Sequence, residues 1–163
     1  GGLNPHDSLD FDESAQIIIK HVTQGLELAN KYKLPEVLKD FIRTHHGKSK
    51  VKYFYYSFKN KYPDKEIDES LFTYPGPDPG RKECAVVMMA DGVEAASRAL
   101  EIKDEENLTK LVNNLIDGLL QDGRFSNADL TFKDISTVKR VFTEMLVNVY
   151  HARIAYPKLQ TKA

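Results

Sequence analysis

Phe41-Ile42-Arg43-Thr44-His45-His46-Gly47 closes a helical pattern with two adjacent histidines and a glycine. Leu38, Phe41, Ile42 and His45 fall at i, i+3, i+4 and i+7, on one face of a helix. His45 therefore continues an apolar face that is expected to point inward. Upstream, His21 lies among Ile17, Ile18, Val22 and Leu28 of an earlier helical pattern. Downstream, Asp91 interrupts the apolar run Ala85-Val86-Val87-Met88-Met89-Ala90-Asp91-Gly92-Val93. Three histidines and an aspartate, all at inward-looking helix positions, are what a metal site in an all-helical protein requires.

Working outward from the histidine pair, Pro35 suits the first position of its helix, where a missing N–H costs nothing. That helix is expected to end at His46, with Gly47 as a left-handed cap. Before it, Asp12 is expected to cap a helix running to about Lys33, with Ile17, Ile18, His21, Val22, Gly25, Leu28 and Ala29 on its buried face. Gly25 costs up to about 1 kcal/mol against alanine there, so it is expected to admit a close neighbour. After the pair, residues 51–62 read as helix and residues 68–72 as a short helical turn. Residues 74–80 hold three prolines and two glycines and read as a stiff loop. Arg81 to Leu100 is apolar on most sides and is expected to be the central buried helix. Asp104 caps the next helix, which buries Leu108, Leu111, Val112, Leu115 and Leu119 and stops before Gly123. Thr131 and Asp134 resemble a capping box. The last helix is expected to turn Val138, Val141, Phe142, Met145, Val149 and Ala152 inward, and Tyr156-Pro157 to end it. The sum is an all-α bundle of about six helices.

The 163 residues, 41% hydrophobic and 29% charged, suit a single domain with a real core. A formal net charge of -1 gives no overall basic field, so no DNA or RNA polymer is expected as partner. The single cysteine, Cys84, excludes an internal disulfide and fits a reducing compartment. No apolar run approaches the roughly 20 residues of a membrane span. The chain opens at Gly1-Gly2 without an initiator methionine and reads as a piece of a longer protein.

Neutral imidazole is the commonest protein ligand for zinc and iron, and a carboxylate adds charge balance. His21 and His45 are 24 residues apart, so tertiary packing must assemble the site. Each candidate also has a plainer reading. His21 alone would serve as a core histidine bonded to a carbonyl, and Asp91 as an acceptor between helices. Arg98, two turns beyond Asp91, would hold a substrate phosphate or pair with Glu94. Lys48 and Ser49 would contact phosphate or lie in a solvated loop. Loop residue His6 and His151, off the buried face of the last helix, stay outside the site. Cys84 reads as a small core residue.

Asn4-Pro5-His6-Asp7, Ser14-Ala15-Gln16-Ile17-Ile18-Ile19-Lys20-His21-Val22, His45-His46-Gly47, Tyr74-Pro75-Gly76-Pro77 and Met89-Ala90-Asp91-Gly92-Val93-Glu94-Ala95-Ala96 occur in a known order and spacing. With them the chain resembles the cytoplasmic HD domain of the bacterial seven-transmembrane HD phosphodiesterases, which hydrolyse cyclic di-AMP to pApA. The resemblance implies an HD-domain fold and a site of two metals, iron or manganese, where a bound hydroxide attacks phosphorus. His21, His45 and His46 match the three histidines of one metal, and Asp91 the carboxylate of the other. Arg98, Lys48, Ser49 and Tyr74 are the candidate substrate contacts. The family's His-Asp pair lies upstream of Asn4, so the domain is expected to be truncated at its N-terminus, to hold at most one metal, and to be inactive or weak by itself. A cyclic dinucleotide partner, a membrane-anchored parent protein with this domain at the cytoplasmic side of the inner membrane, and a homodimer follow from the same resemblance. Two alternatives stand beside this reading: a degenerate HD domain that senses a nucleotide without cleaving it, and a hydrolase of another phosphate ester.

Overall fold

The computed structural model describes residues 9–151. Among them are six α-helices: α1 (Phe11–Lys31), α2 (Glu36–Thr44), α3 (Lys52–Lys61), α4 (Lys82–Ala99), α5 (Glu105–Gln121) and α6 (Phe132–His151). A 3-10 turn, Glu69–Phe72, separates α3 from α4. Among the described residues there is no strand, only an isolated antiparallel bridge between Lys50 and Thr73. The all-α class and the six-helix count read from the periodicity are what the chain adopts.

The cap of α1 is Asp10, not Asp12. Asp10 and Glu13 form a reciprocal capping box, and Asp10 also accepts from the Tyr62 hydroxyl at 2.7 Å. Asp12 therefore falls inside the first turn. Pro35 is the N-cap of α2 rather than its first helical residue, and the helix stops at Thr44 with His45 as C-cap. His46 lies beyond the helix. The Thr44 hydroxyl donates to the Asp40 carbonyl at 2.7 Å, the Gly47 N–H donates to the Thr44 carbonyl at 2.9 Å, and Gly47 takes φ +51°. Asp104 caps α5 through the Asn107 N–H, and the Thr131–Asp134 box is reciprocal.

Beside a small cluster of Ile19 and Val22 of α1 with Tyr74, two larger apolar clusters hold the described residues. Ala85, Met88, Met89 and Val93 of α4 pack against Val112 and Ile116 of α5, Phe125 and Ile135. Ala15 of α1, Phe58 of α3 and Phe72 of the 3-10 turn form the other, flanked by Phe11, Phe54, Tyr55 and Tyr62. Short α2 bridges the two halves by packing on α1 and α4. A Cβ on Gly25 would lie 3.1 Å from Ile42 Cγ2, so this glycine admits α2.

Several expected inward faces are rotated or open. On α1 the buried stripe is Ala15, Ile19, Val22 and Ala29, which leaves Ile17, His21 and Leu28 exposed. On α2, Leu38 is exposed and Phe41 and Ile42 are half-buried, because a nine-residue helix resting on two neighbours has nothing over its outer side. Met145 and Val149 of α6 are exposed for the same reason. Helix α4 is buried toward α5 and α6 but presents Asp91, Glu94 and Arg98 to solvent. Ala152, Tyr156-Pro157, Asn4-Pro5 and His6 lie outside the described residues.

Candidate metal centre

His21 leaves the exposed flank of α1, and His45 and His46 leave the end of α2 toward it. The three offer ligand atoms within 4.8 Å of one another. The first two are set by the same local device. His21 Nδ1 donates to the Ile18 carbonyl at 2.5 Å, and His45 Nδ1 to the Ile42 carbonyl at 2.7 Å, each three residues back on its own helix. A carbonyl only accepts, so on both rings the proton sits on Nδ1 and the lone pair on Nε2. Those two Nε2 atoms face each other at 3.0 Å.

Two lone pairs at that distance repel unless a proton is shared between them or a metal ion lies beside both. With metal–nitrogen bonds of about 2.0–2.1 Å, nitrogens at a right angle around one ion stand about 2.9 Å apart. The donor set thus fits a divalent ion in both chemistry and spacing.

His46 completes the trio. Its ring stacks on Tyr74, centroids 4.2 Å apart and planes 21° from parallel. Burial, then the neighbouring His45 and His21, push the His46 imidazole down to about 3, so it is neutral at pH 7 and has a lone pair to give. Tyr74 is buried, and burial and then the Asp91 charge push its hydroxyl up to about 12, so it stays protonated.

Asp91 lies at the open side of the trio, its Oδ2 3.7 Å from His46 Nδ1. Its side chain is 46% exposed, so it is neither the inward carboxylate expected from the sequence nor a buried acceptor between helices. Asp91 projects from the solvent side of α4, away from the α5–α6 core. The desolvation cost expected of a buried charge does not apply there. His21 is likewise exposed rather than inward. The trio therefore lines an open edge between α1, α2 and α4 instead of a sealed core.

Arg98 is not drawn to the trio. Its guanidinium pairs with Glu94 at 2.9 Å on the exposed face of α4. Lys48 and Ser49 are engaged through their backbones. The Lys48 N–H donates to Asp78 Oδ1 at 2.8 Å, and the Ser49 carbonyl accepts from the Tyr74 N–H at 3.0 Å. Asp78, between Pro77 and Pro79, did not stand out in the sequence. Its one local signal was a carboxylate fixed between two prolines in a loop that follows the histidines.

No protein-family model matches the chain. It is 43% identical over 159 residues to the cyclic-di-AMP phosphodiesterase PgpH of Bacillus subtilis strain 168, a match over 98% of this chain and 22% of that protein. It is 34% identical over 156 residues to the PgpH of Listeria monocytogenes serotype 1/2a, covering 96% of this chain and 21% of the relative. The chain thus spans about a fifth of the length of the curated relatives it matches. The crystal structure of the Listeria monocytogenes PgpH HD domain superposes with a TM-score of 0.84 at 31% identity, over 92% of this chain and 69% of that one.

The chain belongs to the PgpH HD-domain family.

The PgpH HD domain in complex with cyclic-di-AMP superposes with a TM-score of 0.87 at 33% identity, over 94% of this chain and 71% of that one. Membership in the PgpH family carries the HD-domain fold expected from the residue motifs. The curated relatives are named phosphodiesterases, and among the described residues the His21–His45–His46 cluster is the group that could hold a metal ion.

Proposed function

We propose that this chain is a metal-dependent phosphodiesterase domain that takes cyclic di-AMP to linear pApA. The observation that carries this reading is the pair of Nε2 atoms of His21 and His45 turned on each other at 3.0 Å, each fixed by its Nδ1–H. Under this reading residues 1–163 act as one HD-type unit. His21, His45 and His46 hold one ion, iron or manganese, and Asp91 offers the carboxylate of the other metal at the open side of the trio. The ion supplies Lewis acidity toward a phosphodiester and acidifies water. Tyr74 walls the His46 ring from solvent and keeps it oriented. Lys48, Ser49 and Arg98 offer cationic and hydroxyl contacts to phosphate, with Arg98 giving up Glu94 to do so. Support comes from the likeness to PgpH relatives and to an HD domain solved with cyclic-di-AMP.

The same reading carries a membrane-anchored parent protein, with this domain on the cytoplasmic side of the bacterial inner membrane. No helix among the described residues is long and apolar enough to cross a membrane. It also carries a homodimer, for which exposed Tyr32, Val37, Leu38, Met145 and Val149 supply apolar surface.

The test is turnover of cyclic di-AMP with manganese or iron(II) supplied. His45→Ala should reduce turnover to background, and Lys110→Ala, in an exposed pair with Glu106, should leave it unchanged. Equal losses would show that the histidines are structural. Stoichiometric nucleotide binding without cleavage by the longer parent protein would establish a sensor instead.

A further inference from the structure

His21 and His45 are aimed by their own Nδ1–H bonds, but among the described residues no hydrogen bond orients the His46 ring. Its aim comes from the Tyr74 stack, from the Asp91 carboxylate 3.7 Å from its Nδ1, and from the backbone that follows it. That backbone turns at once. Gly47 is buried at φ +51°, and the next N–H, that of Lys48, donates to Asp78 Oδ1 at 2.8 Å. A Cβ on Gly47 would clash with the same oxygen, so the carboxylate is seated directly against the turn.

Asp78 is itself held. Arg124 Nη1 donates to the same Oδ1 at 2.9 Å, and the two side chains are only 14% and 18% exposed. Arg124 in turn donates from Nε and Nη2 to the Asp122 carbonyl at 3.1 and 2.8 Å, at the end of α5. Pro79, the residue after Asp78, is fully buried. A ligand must be held within about 0.5 Å of its working position by groups that do not move, and a charge-assisted bond between two largely buried partners provides that.

We propose that Asp78, clamped by Arg124, is a positioning residue for His46: it fixes the Gly47–Lys48 turn that aims the third imidazole at the metal. The inference rests on the reading of the three histidines as metal ligands. Asp78 touches neither metal nor substrate and acts through two backbone residues.

The experiment is a Mn2+ titration of the full chain and its variants by calorimetry, with the metal-free melting temperature of each measured beside it. Asp78→Ala should weaken Mn2+ affinity about 10–100-fold, the range for groups that orient a ligand. Asp78→Asn keeps a carbonyl oxygen for the Lys48 N–H and should recover affinity to within about threefold. Arg124→Gln should weaken binding by less than Asp78→Ala, and the double variant should be no worse than Asp78→Ala alone. A merely structural tie would lower the metal-free melting temperature of Asp78→Ala and leave Mn2+ affinity within about twofold, and that result overturns the proposal. If Asp78→Ala does not fold, Arg124→Gln decides, and unchanged affinity overturns it. Failure of the unsubstituted chain to bind Mn2+ would overturn the metal reading and this inference with it. Tight binding by the unsubstituted chain with no effect of Asp78→Ala or Arg124→Gln would overturn this inference alone.

Discussion

Gly47 and Gly118 respond in opposite ways to one added methyl group. At Gly47 the backbone has φ +51°, and a Cβ would press on the Asp78 carboxylate and lie 2.7 Å from Met88 Cε. Left-handed backbone costs an L-residue about 1–2 kcal/mol before any clash, so Gly47→Ala should destabilise by about 1–3 kcal/mol. At Gly118, inside α5, nothing lies within 4 Å of the new methyl. Gly118→Ala should stabilise by about 0.5–1 kcal/mol through helix propensity. Urea unfolding of both variants checks the pair, and shifts of the same sign would contradict it. The same scale explains the histidines: an Nδ1–H bond to a carbonyl three residues back leaves Nε2 as the outward ligand atom in both His21 and His45.

Among the elements, α6 has its start tied to α4 through one carboxylate. Asp134 accepts from the Thr131 N–H at 2.9 Å and from Lys82 Nζ of α4 at 2.9 Å. The Thr131 backbone bond first, then Lys82 and the Thr131 hydroxyl, hold the Asp134 carboxyl down at about 2. Its folded pKa lies below the ordinary value of 3.8. The stability it contributes is therefore complete above about 3.8 and is lost as pH falls through about 2. Melting curves between pH 4 and pH 2 should lose less on acidification in Asp134→Asn than in the unsubstituted chain, and parallel losses would refute this. Thr131→Ala should cost about 1 kcal/mol at neutral pH, the usual value of an N-cap hydroxyl. Helix α2 is the opposite case. Its cap is a proline with no side chain to offer, and it persists because α1 and α4 support it.

For the whole molecule, a metal that joins α1 to the end of α2 binds the folded chain and not the unfolded one. Free Mn2+ at 100 times its Kd should then raise stability by about 2.7 kcal/mol, and a chelator should remove the gain. His21→Ala should abolish the Mn2+-dependent rise in melting temperature while leaving the metal-free melting temperature nearly unchanged, because His21 is exposed. An identical metal-dependent rise in that variant would exclude His21 as a ligand. The three histidines supply the ligands of one ion, so elemental analysis of the purified chain should find at most about one metal per chain.

Much of the fold was legible locally. A period of 3.6 marks α1, α5 and α6, and Asp104, Thr131–Asp134 and Gly47 punctuate the chain where their side chains, or the lack of one, satisfy a helix end. The candidate ligands His21, His45 and His46 were legible as residue types in family order. What periodicity does not encode is which neighbour covers a face. Leu38, Met145 and Val149 sit on apolar stripes yet remain exposed, and Asp91, set in an apolar run, points to solvent. Nor does local pattern encode contacts between distant residues. The meeting of His21 with His45 spans 24 residues, and that of Asp78 with Lys48 spans 30. Both depend on how α1, α2, α4 and the loop after the 3-10 turn pack together, because a side chain's reach is short and only the tertiary structure brings those backbones within it.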